Sequence, residues 1–311
     1  MKVSVVGVGV VGAELVRGLM GMAEIDEIIA INRNRAKVEG EIEDLYHTTA
    51  FSEVYGPVPA VGDYPDLAGS DIVVLTAGAQ PRIGGSREDV LFANCKIARE
   101  ITAEIERYAP QAMVLMVTNP VDAVTQVALA HSGFAKTRLI STGTIIDSRR
   151  LVRILSDALG VDPRSVSAYV MGEHGPSGFI PWSLCRICGM DVDTYCRLND
   201  LELLDKELVQ RQMLEAGHRI FNRKGNTSHG ISASVNRIIR AIVFDEKAVL
   251  PVGMLLEGEY GIDGVVLSVP CVIGRAGVER MVRCDLSGAE VEQLQQSGAR
   301  IRQLVGMATR R

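Results

Sequence analysis

Apolar and polar positions change their period along this chain, and the changes mark out its elements. In the first half, short Val/Ile/Leu-rich runs at Lys2–Gly7, Glu27–Ile31, Asp71–Thr76, Ala112–Val117 and Arg138–Ser141 predict strands. Their nearly continuous apolar character is that of parallel strands covered on both faces. Between them, stretches with apolar residues at helical spacing predict helices over Val10–Met22, Ala36–Thr49, Arg87–Tyr108 and Val121–Ser132. Strand–helix alternation of this kind predicts an α/β unit with a parallel sheet.

After about residue 142 the pattern changes. A helix over Asp147–Leu159 is followed by strand-like "SVSAYVM" and "GFIPWSLCRICG". Helices are predicted near Asp200–Arg223 and Ser228–Phe244, then a strand pair, "AVLPVGMLLEG" and "IDGVVLSVPCVIG". A last helix, "SGAEVEQLQQSGARIRQLVGMA", opens with Ser287 and has Glu290 three residues on, the spacing of a capping box. The expected organisation is an α/β domain over residues 1–141 and an α+β domain over 142–311, closely packed.

Composition narrows the function classes. The 311 residues are 47% apolar and 23% charged, ordinary for a soluble globular protein. The net charge of −5 offers no basic patch for nucleic acid, and no dense Lys/Arg run suggests a membrane surface. No stretch approaches the roughly 18 apolar residues of a membrane span. In "MKVSVVGVGVVGAELV" the glycines are regularly placed and Glu14 follows, which favours a core strand and helix over a cleaved signal. Six cysteines are dispersed, and the lone CxxC at Cys185 and Cys188 lacks a second ligand pair. They read as reduced thiols, with no metal site, in a cytoplasmic protein.

The chemistry begins at "GVGVVG". Gly7, Gly9 and Gly12 form G-x-G-x-x-G between an apolar strand and an amphipathic helix, the context that gives this motif its meaning. Gly7 permits the turn, Gly9 lets backbone approach a pyrophosphate, and Gly12 lets helix and strand pack. The helix N-terminus presents free N–H groups to phosphates. The fold class is therefore a Rossmann-type doubly wound parallel sheet. At the end of the second strand an acidic residue usually binds ribose hydroxyls, but here "INRNR" places Asn32 and Arg33. NAD is the favoured cofactor, and Asn32–Arg33 keeps NADP open, because arginine can pair with a 2′-phosphate.

A second constellation lies in "GEHGPSG". His174 sits in a glycine-flanked turn after an apolar run, and imidazole passes protons well near neutral pH. In "GTIIDSRRLVRIL", Asp147 and Arg150 are three apart and share a helix face. Asp147 could orient the imidazole, and Arg150 could grip a carboxylate with two parallel bonds. Asn119 ends the fourth strand in "VTNPVD", where open α/β sheets bind ligands. Pro120 suits the first turn of the helix after it. The glycine-rich "GAQPRIGGSRED" after the third of these parallel strands carries Pro81, Arg82 and Arg87.

Together, "GVGVVG", "TAGA", "GGSRED", "VTNPVD", "STGTIIDSRRL", "GEHGPSGFIPWS" and "KGNTSHGIS" resemble the L-lactate and malate dehydrogenase family, in order and spacing, over nearly the whole chain. The resemblance implies an L-2-hydroxy-acid dehydrogenase, most like those for lactate, exchanging hydride between a nicotinamide cofactor and C2 of a 2-oxo acid. His174 would exchange the proton of the C2 oxygen, with Asp147 orienting it and Arg150 binding the substrate carboxylate. Arg87, on a closing loop, would polarise the carbonyl, and Asn119 would hold the same oxygen. Thr76, Gly78 and Asn119 would border the cofactor. The position that separates lactate from malate enzymes falls on Pro81, which has neither charge nor donor; Arg82 beside it keeps a malate reading alive. Gly84 and Gly85 leave room for a branched 2-oxo acid. Thr227 would form a small, uncharged opposite wall. Pro176 departs from the family's usual Asp. Val152 and Ser167 replace the Arg and His through which some bacterial members answer fructose 1,6-bisphosphate, so no such activation is expected. The resemblance implies a homodimer or homotetramer. A nicotinamide-dependent glycosidase, which needs a metal, and a non-catalytic nucleotide-binding module are the rival readings.

Overall fold

A computed structural model describes residues 1–51, 56–81 and 90–309. Six parallel strands form the first part of the main sheet: β1 (Lys2–Val6), β2 (Glu27–Ile31), β3 (Ala60–Val61), β4 (Ile72–Leu75), β5 (Met113–Met116) and β6 (Leu139–Ser141). They lie in the order β3-β2-β1-β4-β5-β6, the doubly wound arrangement. β4 and β5 are buried along their whole length, as strands covered on both faces must be. The covering helices from this half are α1 (Val10–Leu19), α2 (Arg35–Thr48), α3 (Leu91–Tyr108) and α4 (Val121–Ala130). All five sequence-derived strands match to within one residue at each end. The helix expected from Arg87 has its described part from Leu91; Arg87 lies outside the described residues.

The second half departs more from expectation. α5 (Ile145–Leu159) ends on Gly160 in the left-handed conformation (φ 66°), the usual glycine stop. "SVSAYVM" and "GFIPWSLCRICG" are largely irregular. They supply only two-residue strands, β7 (Val166–Ser167) and β8 (Arg186–Ile187), which join β9 (Met190–Asp191) in a small antiparallel sheet. Pro181 leads into a single helical turn at Trp182–Leu184, which interrupts any longer strand. A short helix, α6 (Val192–Leu198), follows its N-cap Asp191. α7 (Lys206–Lys224) starts six residues later than expected, where the Asp205 side chain accepts the Leu208 N–H at 3.0 Å. α8 (Ser228–Val243) follows.

The expected strand pair is present as β10 (Ala248–Glu257) and β11 (Asp263–Gly274), with β12 (Gly277–Met281) unanticipated beyond it. These antiparallel strands extend the main sheet past β6, giving nine strands in the order β12-β11-β10-β6-β5-β4-β1-β2-β3. The seam is narrow: β10 meets β6 only at Gly253 opposite Ser141. A Cβ at Gly253 would lie 2.0 Å from Ser141 Oγ, so only glycine lets the strands meet there. α9 (Gly288–Thr309) packs over β11 and α4.

One apolar core runs under the whole sheet and joins Val3, Leu75 and Leu115 to Val235, Leu267 and Ile301. A smaller core, including Leu151, Leu155, Ile187 and Met213, fills the space between α5, α7 and the small sheet. Each fully buried Leu or Ile contributes roughly 1.5–3 kcal/mol relative to exposure.

Candidate active site

The first turn of the chain is shaped by close backbone approach. Gly7 has φ 104°, and a Cβ there would lie 2.2 Å from the Ala77 nitrogen at the end of β4. Gly12 is tight as well: a Cβ there would lie 3.1 Å from the Gly7 carbonyl oxygen and 3.3 Å from Thr76 Oγ1. Thr76 Oγ–H donates to that carbonyl at 2.9 Å and locks the turn to the sheet. Gly9 differs: a Cβ there would meet nothing nearer than the Gly7 oxygen at 3.9 Å, so the turn is open above the N-terminus of α1. That open cradle, with helical N–H groups at its base, fits the pyrophosphate of a dinucleotide.

Asn32 sits at the end of β2. Its Nδ2 donates to the Val8 carbonyl at 2.5 Å, and its Oδ1 accepts the Asn34 N–H at 3.0 Å. The side chain thus braces the glycine turn. Arg33 beside it is exposed. Gly78 passes Thr118 so closely that a Cβ would lie 2.5 Å from Thr118 Cγ2. Asn94 on α3, fully buried, binds this stretch: its Oδ1 accepts the Ala79 N–H at 2.6 Å, and its Nδ2 donates to the Asn119 carbonyl at 2.7 Å. The Asn119 side-chain oxygen is buried with no hydrogen-bond partner among the described residues, a polar atom suited to a donor on a ligand. Pro120 follows through a cis peptide bond and is the N-cap of α4 rather than part of its first turn.

The proton-transfer candidates converge by a different route. The first turn of α5 is stitched to the segment before His174: Thr144 Oγ–H donates to the Val170 carbonyl at 2.5 Å, and Ser148 Oγ accepts the Val170 N–H at 2.8 Å. Gly172 then exchanges two backbone hydrogen bonds with Ser268 of β11, at 3.0 and 2.9 Å. Asp122 on α4, 1% exposed, accepts the His174 N–H through Oδ2 at 2.7 Å. The turn is thereby held by a helix start, a strand and a buried carboxylate.

These restraints bring His174 Nδ1 into a hydrogen bond with Asp147 Oδ2. Asp147 Oδ1 accepts from Arg150 Nη1 at 2.8 Å. All three side chains are largely buried, at 8%, 10% and 15% exposure for His174, Asp147 and Arg150. Asp147 lies in the first turn of α5, where the helix dipole favours its negative charge. Arg150, held at Nη1 by Asp147, also lines the adjoining pocket, where a planar guanidinium can bind a carboxylate. Arg149 is exposed, and Arg153 pairs with Asp157 on the surface.

A pocket of about 250 Å3 opens beside this chain of groups, lined by His174, Arg150, Leu214, Glu215, His218 and Leu304 among others. Pro120 and Pro176 also border it. Pro81, half-buried, and Thr227, the N-cap of α8, do not. Arg82 and Arg87, with Gly84 and Gly85, lie outside the described residues. The sequence reading missed Asn94, Asp122 and the α7 lining residues. Asp122 carried a signal, since it stands within the quoted "VTNPVD". Glu215 and His218 are one turn apart on α7, opposite the buried Val209 and Met213, and helical periodicity alone marks them as surface.

Two family descriptions cover the chain. Residues 1–141 match the lactate/malate dehydrogenase NAD binding domain, and residues 144–308 match the lactate/malate dehydrogenase alpha/beta C-terminal domain. An L-lactate dehydrogenase of Clostridium botulinum (strain Okra / Type B1) is 39% identical over 311 residues, covering 99% of this chain and 97% of that protein. One from Acetivibrio thermocellus is 38% identical over 311 residues, covering 98% and 96%. The ligand-bound structure of the minor L-lactate dehydrogenase of Enterococcus mundtii matches with a TM-score of 0.93 at 31% identity, covering 100% of this chain and 99% of that one. Dinucleotide cradle, sheet order and full-length likeness agree: the chain belongs to the lactate/malate dehydrogenase family of NAD-dependent oxidoreductases.

Proposed function

We propose that this protein interconverts a small 2-oxo monocarboxylate and its L-2-hydroxy acid, with pyruvate and L-lactate as the reference pair. The observation that carries this reading is the buried His174–Asp147–Arg150 chain beside the pocket. NAD supplies the hydride chemistry at C2 when bound. The protein's own groups manage the proton and the carboxylate. With Nδ1 held by Asp147, His174 Nε2 is the nitrogen that gives a proton to the C2 oxygen or takes it back. Asp147 stabilises the imidazolium, and Arg150 presents its remaining N–H groups to the substrate carboxylate. Asn119 is assigned to the C2 oxygen, and Arg87, outside the described residues, to its polarisation.

Lining chemistry favours a monocarboxylate. Glu215 places a negative charge at the pocket and opposes a second substrate carboxylate, while Leu214 and Leu304 offer apolar surface. Pro81 adds no cation. Residues 1–141 are assigned to the cofactor and 142–311 to the substrate side, in a cytoplasmic homodimer or homotetramer. The test is kcat/KM for pyruvate, oxaloacetate and 2-oxoisocaproate, each with NADH and NADPH. Pyruvate with NADH is expected to lead. Preference for oxaloacetate would overturn the monocarboxylate reading, and preference for NADPH would assign Arg33 to a 2′-phosphate.

A further inference from the structure

The residue preceding the proton-transfer histidine is itself a buried acid. Glu173 is 5% exposed. Its carboxylate folds back under the same turn: a Cβ at Gly175 would lie 2.5 Å from Glu173 Oε1, so any larger residue there would displace the carboxylate. Oε2 accepts the Ser177 backbone N–H at 3.1 Å and the Ser177 Oγ–H at 2.5 Å. Arg300 on α9 brings the opposite charge, with Nε 3.1 Å from Oε2. Ser297, one turn earlier on α9, accepts the Glu173 N–H at 2.7 Å and lies 2.9 Å from Ser177 Oγ. Gly172 is pinned to the same serine, since a Cβ there would sit 2.7 Å from Ser297 Oγ.

A carboxylate this deeply buried is tolerated because it is paired and hydrogen-bonded. Its position beside His174 has an electrostatic effect as well as a mechanical one. A lone negative charge here would favour the imidazolium, and a lone positive charge would oppose it. We infer that Glu173 and Arg300 are positioning residues: the buried Glu173 carboxylate and the half-buried Arg300 guanidinium tie the histidine turn to the C-terminal helix and set opposing charges next to His174. Among the described residues, the other charged or titratable groups facing that turn are Asp147 and Arg150 from α5, Asp122 from α4, and Glu215 and His218 from α7.

The inference rests on His174 being the proton-transfer group, and its test is read without turnover. The titration midpoint of His174 is followed by NMR in cofactor-free protein labelled at histidine, its resonance assigned by loss in His174→Gln. Arg300→Gln leaves the carboxylate uncompensated, and the midpoint is expected to rise by about one pH unit. Glu173→Gln removes a negative charge beside His174, and the midpoint is expected to fall by a similar amount. The double variant restores it, and Arg300→Lys, which keeps the charge, stays with the parent. The kcat/KM profile for pyruvate reduction should move in the same directions. Single variants that lower kcat with the His174 midpoint unmoved, or that move it in the same direction, would overturn the inference. If Arg300→Gln fails to fold, Glu173→Gln carries the test alone, and a midpoint that does not fall overturns it. A parent that titrates but reduces no 2-oxo acid would count against the proposed function instead.

Discussion

Replacing Asp147 with Asn removes one charge while keeping the side chain's size. In the structure, that carboxylate touches His174 Nδ1 with one oxygen and Arg150 Nη1 at 2.8 Å with the other. Two unit charges about 4 Å apart at an effective dielectric of about 20 interact by about 4 kcal/mol. Arg150 on the far oxygen offsets about half of this, leaving about 2 kcal/mol of net support for the imidazolium. At about 1.4 kcal/mol per tenfold, that is a factor of about 30. The amide also ceases to enforce which ring nitrogen carries the proton, so the expected loss in kcat/KM for pyruvate at neutral pH is about 10²–10³-fold. The sign follows from the charge. Asp147 favours the protonated ring, so its removal moves the midpoint of the pyruvate-reduction profile to lower pH, and activity partly returns on acidification. Steady-state kcat/KM from pH 5 to 9, parent against variant, measures both quantities. A loss under tenfold with an unmoved midpoint would refute the role given to Asp147.

Other perturbations test other parts of the site. Arg150→Gln should raise KM for pyruvate far more than it lowers NADH affinity, with kcat/KM down at least about 10²-fold, since a charged two-point contact is lost; an unchanged KM would remove Arg150 from the carboxylate. Gly7→Ala, at φ 104° and with a Cβ 2.2 Å from the Ala77 nitrogen, should lower stability by about 1–3 kcal/mol and weaken NADH binding, read by thermal unfolding and NADH fluorescence; parental values for both would contradict the close approach of this turn. Burial pushes the Cys185 and Cys271 thiols up to about 12 and Cys95 to about 11, so at pH 8 a disulfide reagent should modify exposed Cys188 first and these three only on unfolding; rapid modification of all three would refute their burial. Fructose 1,6-bisphosphate should leave the rate unchanged, because Val152 is 3% exposed in the smaller core and Ser167 carries no charge; a clear activation would overturn this.

Much of the architecture was legible because its signals are local. Short continuous apolar runs such as "IVVL" and "MVLM", alternating with helical stretches, match strands buried on both faces, and Gly160 and Asp205 punctuate their helices by their own backbone and side-chain chemistry. The segment from Ser165 to Asp191 misled the reading, because apolar residues there pack into the smaller core from irregular backbone rather than from a strand. β12 escaped notice since its alternation is short and two of its five residues are charged. Of the site, His174, Asp147 and Arg150 were readable from residue type and spacing. Asn94 and Arg300 were not: each acts on a backbone or carboxylate far away in sequence, and nothing local in "FANCK" or "GARIR" records that partner.

The docking of α9 sets the order in which this catalyst can be completed. Ser297 and Arg300 reach Glu173 across 124 and 127 residues, and Leu304 adds a wall of the pocket. As the chain emerges during synthesis, the dinucleotide cradle has all its strands long before the histidine turn has its last support. A nascent or C-terminally clipped chain thus holds the parts for cofactor capture without a finished acid–base centre, and proton transfer becomes competent only when the last helix settles.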